Sequence, residues 1–129
     1  MVQNIIIIDD NQTNIKLATM VLSKEGYNVY SVLSVKEGLE LMKIHNVSLI
    51  LMDAMMPEVD GYDGIKLIRA DDRLKSIPIL MVTAHYAENY NEEKAIEAGA
   101  DDYLAKPYNI KDLIAKTKKL TNINKSVEK

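Results

Sequence analysis

No cysteine occurs anywhere in the 129 residues, which excludes a disulfide scaffold, a thiolate metal site and a cysteine nucleophile together. No apolar run approaches the roughly 18 residues that a membrane-spanning helix needs. The opening residues, Met1-Val-Gln-Asn, lead into Ile5 without a basic flank or a small-residue cleavage site, so the pattern of a secretory leader is missing. Charge of one sign is not in large excess either. With 19 acids and 16 bases the net charge is −3, which does not mark a direct nucleic-acid binder. A GxxxxGKS/T loop is also missing, and with it support for a P-loop nucleotide site. Internal repeats and low-complexity stretches are absent. These absences leave a chain that is neither secreted nor membrane-spanning, and the expected location is the cytoplasm. A hydrophobic fraction of 47% and a charged fraction of 27% are ordinary for a globular protein, and the length suits one domain with a real core.

What is present is an alternation. Ile5 to Ile8 is too short for a helix and wholly β-branched, which predicts a strand buried on both faces. From about Gln12 to Lys24, Ile15, Ala18, Val21 and Leu22 recur at helical spacing, and Gly26 suits the position just past a helix end. Asn28 to Val32 reads as a second strand. Ser34-Val-Lys-Glu37 has the spacing of a capping box and opens a helix through Leu39, Leu41, Met42 and Ile44. Leu49 to Met52 is a third, buried strand, and Ile65, Leu67 and Ile68 mark a helix to about Ala70. After a polar loop over 71–76, Ile79 to Val82 is the fourth strand. The span 88–98 is weakly helical, with a thin stripe of Tyr90, Lys94, Ile96 and Ala98. Tyr103 to Ala105 is the fifth strand, and Ile110, Leu113, Ile114, Thr117 and Leu120 form the last helix. The domain is expected over residues 1–121, with 122–129 a polar tail or the start of a linker.

Strands and helices alternating in this way require a parallel sheet with helices on both faces. The expected architecture is an α/β doubly wound, flavodoxin-like (βα)5 fold with strand order 2-1-3-4-5, which opens a crevice where strands 1 and 3 diverge. In a parallel sheet all carboxyl ends share one edge. Strand 1 brings Asp9 and Asp10 there, strand 3 brings Asp53, strand 4 Thr83 and strand 5 Lys106. Each has an ordinary explanation alone: a turn or helix cap for Asp9-Asp10, a strand terminus for Thr83, a solvated lysine for Lys106. Five coincidences on neighbouring strands are far less probable than one site.

Three carboxylates on one rim repel, and a divalent cation relieves them. Oxygen donors with room for water and phosphate favour Mg²⁺ over an all-protein Ca²⁺ cage, and no His or Cys stands at the strand ends to suggest zinc. A carboxylate beside Mg²⁺ can attack phosphorus and form an aspartyl-phosphate. Charge on the phosphoryl oxygens then calls for a cation and a hydrogen-bond donor opposite the metal, roles that Lys106 and Thr83 can fill.

Across essentially its whole length the chain resembles the receiver domain of two-component response regulators. The resemblance rests on Asp9-Asp10, on Asp53-Ala-Met-Met-Pro57-Glu-Val-Asp60-Gly61, on Thr83-Ala84, and on Gly99-Ala-Asp-Asp-Tyr103-Leu-Ala-Lys106-Pro107. It implies that Asp53 accepts phosphate from a phosphohistidine of a histidine kinase or phosphotransfer protein. It further implies Asp10 as a direct Mg²⁺ ligand, Asp9 as a ligand through water, and the main-chain carbonyl of Met55 as another. By the same resemblance Lys106 pairs with Asp53 and then with the phosphoryl group, Thr83 swings in to bond a phosphoryl oxygen, and Tyr103 turns inward as a switch. Helix 4, strand 5 and helix 5 would form the output face.

Other residues carry weaker readings. Met52, Met55, Met56 and Met81 read as packing and loop residues. Met55 and His85 together are expected to tune water access to the phosphate, whereas His45 reads as surface. Tyr86, Tyr90, Tyr103 and Tyr108 cluster around the output face and read as a partner-docking surface. Lys111, Lys116, Lys118 and Lys119 could pair with acids across a phosphorylation-dependent homodimer, or equally form a solvated face. The competing enzyme reading is a Mg²⁺-dependent phosphatase with an aspartyl nucleophile, but such enzymes show Asp-x-Asp where Asp53 is followed by Ala54 and Met55, and they carry a cap domain. A third reading is a scaffold that never receives phosphate. The pattern ends after the fifth helix, which fits a stand-alone regulator or the receiver of a larger protein.

Overall fold

A computed structural model describes residues 2–54, 56, 60–84, 92–106 and 108–128, with the backbone alone for 84, 92 and 123–128. Five strands and five helices alternate: β1 Asn4–Ile8, α1 Gln12–Lys24, β2 Asn28–Val32, α2 Val35–Ile44, β3 Leu49–Asp53, α3 Gly61–Ala70, β4 Ile79–Ala84, α4 Glu92–Ala98, β5 Asp102–Lys106 and α5 Ile110–Glu128. The sheet is wholly parallel, in the order β2-β1-β3-β4-β5.

Strand alternation divides the core between the two faces. Ile6, Ile8, Ile50, Met52, Ile79 and Met81 pack with Val35 and Met42 of α2, Ile65 and Ile68 of α3, and Ala95 of α4. Ile5, Ile7, Leu49, Leu51, Leu80 and Val82 pack with Ile15, Ala18, Val21 and Leu22 of α1 and with Leu113 and Leu120 of α5. Most of these strand residues are completely buried, and each such side chain contributes about 1.5–3 kcal/mol of transfer free energy. The helix after β1 and the helix after β3 lie on opposite faces. Between those adjacent strands, the crevice of a doubly wound sheet opens at the carboxyl edge.

The ends of the elements follow local chemistry. The Asn11 side chain caps α1 by accepting from Asn14 N, so the cap is Asn11 rather than either acid before it. Ser34 caps α2 through Glu37 N, and the Glu37 carboxylate accepts in turn from Leu33 N at 3.4 Å, close to the expected capping box. Gly26 and Gly99 take φ of 94° and 117° just beyond α1 and α4, conformations that cost a side chain dearly.

Several details differ from the sequence reading. Thr83 lies within β4, and Lys106 closes β5 rather than following it. The α5 backbone stays helical to Glu128, past the point where the apolar spacing ends, because a helix already nucleated propagates at small cost per residue. On α4 the buried residue is Ala95, while Ile96 is half exposed, so the stripe runs along a different line from the one anticipated. A small side chain is what lets α4 lie close to α3 and β5. Residues 88–91 of that expected helix lie outside the described residues. In the 71–76 connection, expected to be merely polar, Leu74 is buried.

One side chain the sequence reading passed over ties the amino-terminal edge of the sheet together. Arg69 at the end of α3 donates to Gly99 O at 2.9 Å, Lys75 O at 2.9 Å and Ile77 O at 2.7 Å, and it pairs with Asp101 at 2.7 Å. The same Asp101 oxygen accepts from Ile79 N, the first amide of β4.

Candidate functional site

Each acid of the site reaches the carboxyl edge because its strand stops there. Ile8 pairs in register with Met52, so Asp9 and Asp53 are the next residues on adjacent central strands. Asp9 and Asp53 are buried, Asp10 is exposed, and one carboxylate oxygen from each lies within 4.8 Å of the others. The Asp9 carboxylate is oriented from behind, accepting from Asn11 N at 2.9 Å. Burial thus sets two acids in place and leaves the third facing water.

Lys106 comes from across the sheet. Its register partner on β4 is Ala84, and its Nζ reaches to 3.4 Å from Asp53 Oδ1 and 3.9 Å from Asp9 Oδ2. Thr83, completely buried, stands one residue earlier in register with Ala105. Met81 pairs with Tyr103, and both pack on the sheet face that carries α2, α3 and α4. By strand alternation Thr83 shares that face. A line of neighbours therefore runs from the acid cluster to half-buried Tyr103, at a cavity of about 370 Å³ also lined by Tyr108, Asn109, Asp112 and Lys116.

The electrostatics are lopsided. Three carboxylates face the single ammonium of Lys106 among the described residues, and the excess negative charge attracts a cation. The donors are all oxygen, and the exposed Asp10 leaves part of any coordination sphere to water, which fits a hard divalent ion that keeps its waters. The negative charge also reaches Tyr108. Burial raises the Tyr108 phenol above the ordinary tyrosine pKa, and the charge on Asp9 raises it further.

The structure brings together Asp9, Asp10, Asp53 and Lys106, with Thr83 and Tyr103 on the adjoining strands. Met55, whose carbonyl was expected as a ligand, lies outside the described residues, as do His85, Tyr86 and Tyr90. Of the helix 5 lysines, read equally as a dimer surface or as a solvated face, Lys116 pairs with Asp102 at 2.9 Å and Lys118 with Glu25 at 2.8 Å within the same chain. His45, read as plain surface, stacks on Tyr30 with ring centroids 4.3 Å apart. Two contributors were missed: the Asn11 amide behind Asp9, and the backbone of Gly61, which closes on Ala54 O at 2.9 Å. An Asn directly after an acidic pair and before an apolar helix was the available signal for the first.

Comparison with known proteins points to one family. A family model described as response regulator receiver domain matches residues 5–118. The polar-differentiation response regulator DivK of Brucella ovis is 34% identical over 110 residues, covering 85% of this chain and 89% of that one. A solved Chloroflexus aurantiacus protein described as a response regulator superposes with a TM-score of 0.89 at 31% identity, covering 95% of this chain and 99% of that one. The receiver domain of sensor histidine kinase PA1611 from Pseudomonas aeruginosa, solved with a magnesium ion coordinated in its active-site cleft, gives 0.85 at 29% identity, with the same 95% and 99% coverage.

Proposed function

The chain belongs to the response regulator receiver domain family, and from that premise we propose that it is a signalling switch phosphorylated on Asp53 by a histidine kinase or a histidine phosphotransfer protein. The observation that carries the reading is the buried Asp53 carboxylate, clustered with Asp9 and Asp10 and 3.4 Å from Lys106. A carboxylate held there has a nucleophilic oxygen and a neighbour able to neutralise charge.

In the transfer an Asp53 oxygen forms a bond to phosphorus as the phosphorus–nitrogen bond of the donor phosphohistidine breaks, and the freed imidazole takes up a proton. Asp10, Asp53 and the Met55 carbonyl would hold Mg²⁺ directly, and Asp9 through water. The ion supplies charge neutralisation for the phosphoryl oxygens. Lys106 gives up its contact with Asp53 and pairs with the phosphoryl group. Thr83 turns to donate a hydrogen bond to a phosphoryl oxygen, and Tyr103 moves inward as Thr83 leaves its resting position. The readout is a changed α4–β5–α5 surface, open to a downstream partner or to a second copy of the chain.

The test is mass spectrometry after treatment with acetyl phosphate or a cognate kinase in the presence of Mg²⁺. A single phosphoryl group on Asp53, absent from Asp53→Asn, is the expected result. Repeated turnover of varied phosphomonoesters would instead assign the chain to the phosphatases, and no labelling at all would make it a scaffold.

A further inference from the structure

We propose that Gly61 is a positioning residue for Asp53, holding the acceptor through backbone contact that a side chain of any size would break. The inference rests on Asp53 being the phosphoacceptor. The sheet holds this end of β3 unevenly. Toward β4 the register continues to Asp53–Val82, and Ala54 N donates to Val82 O at 2.9 Å. Toward β1 the ladder stops at Ile8–Met52, one residue short of Asp53. The first turn of α3 lies against the same stretch. Gly61 N donates to Ala54 O at 2.9 Å, and Asp60 secures that turn by accepting from Asp63 N at 2.9 Å.

A Cβ at position 61 would overlap the Asp53 carbonyl oxygen and stand 2.8 Å from Ala54 Cα and 3.0 Å from the Asp53 carbonyl carbon. All three obstacles are backbone, and backbone in a central strand cannot turn aside as a side-chain end can. The other buried helical glycines differ in kind. At Gly64 the nearest atoms are Val35 Cγ2 at 2.8 Å and Met52 Cε at 3.3 Å, and at Gly38 they are side-chain atoms of Ile8 and Val32. Of the three, Gly61 alone meets the peptide that carries the acceptor.

Wild type, Gly61→Ala and Gly64→Ala are labelled with acetyl phosphate and saturating Mg²⁺, well below their melting temperatures, and initial rates are followed by mass spectrometry. Gly61→Ala should lose roughly 10- to 100-fold in maximal rate, the effect of an ångström-scale misplacement, while the acetyl phosphate concentration at half-maximal rate changes little. Gly64→Ala tests for general loosening and should stay within about twofold of wild type despite a lower melting temperature, because it strains packing without moving the acceptor. A Gly61→Ala rate equal to wild type, or equal slowing of both variants, would overturn the inference. If Gly61→Ala does not fold, Asp60→Ala loosens the same turn without a clash; a slower rate supports the inference and an unchanged one rejects it. A wild-type protein that takes no phosphate would remove the acceptor reading itself, a result distinct from labelled protein with no Gly61 effect.

Discussion

Lys106 and Tyr108 sit two residues apart and answer to the same negative cluster in different ways. Lys106 lies within ion-pair distance of two buried carboxylates, and on the proposed function its removal takes a fixed cation from the phosphoryl group. Lys106→Met should slow phosphorylation from acetyl phosphate about 10²-fold, the loss typical of deleting one preorganised charge donor, in an initial-rate assay. Tyr108 is kept protonated, first by burial and then by Asp9. Because its folded pKa lies above the unfolded value of about 10, its contribution to stability is fully present below that value. It is lost as pH rises through the folded one. Ultraviolet difference titration, with Tyr108→Phe subtracted, should show one tyrosine titrating late. Asp9→Asn should bring that midpoint down only partway, since burial is the larger cause.

Among the helices, α4 buries the fewest of its described side chains. Only Ala95 of its described side chains is fully buried, and Ile96 is half exposed, whereas α3 sinks Gly61, Gly64, Ile65 and Ile68. Elements with little buried apolar surface open at lower free energy than the whole fold. Amides of α4 should therefore exchange with deuterium at least about tenfold faster than those of α3 under native conditions; equal protection would count against α4 as the moving part of the proposed α4–β5–α5 readout. Just past its carboxyl end, Arg69 donates to Gly99 O and pairs with Asp101.

For the molecule as a whole, a divalent cation held at the acid cluster, as proposed, would link stability to metal. An ion bound only by the folded state raises stability by about 2.7 kcal/mol at a hundred times its dissociation constant. Mg²⁺ should accordingly raise the melting temperature in a saturable way, a chelator should reverse the rise, and Asp10→Ala should abolish it. A melting temperature independent of Mg²⁺ would remove the metal from the proposed function. Among the described residues no helix is long and apolar enough to cross a membrane.

Much of this was legible in the linear chain, because hydrophobic period and turn residues are local signals. Ile5 to Ile8 could only be a buried strand, and five βα repeats could only give parallel strands with their carboxyl ends on one edge. That geometry alone brought Asp9, Asp10, Asp53, Thr83 and Lys106 to a common rim. Local signals are silent about contacts between residues distant in sequence. Three things needed the packed structure: the 3.4 Å approach of Lys106 to Asp53, the Arg69 anchor at the opposite edge, and the choice of Ala95 over Ile96 as the buried face of α4. The same holds for Gly61. In the sequence it marks a turn, but only the closure of α3 back onto β3 sets its missing side chain against the Asp53 carbonyl, since the turn residues do not by themselves say how closely the helix returns to the strand.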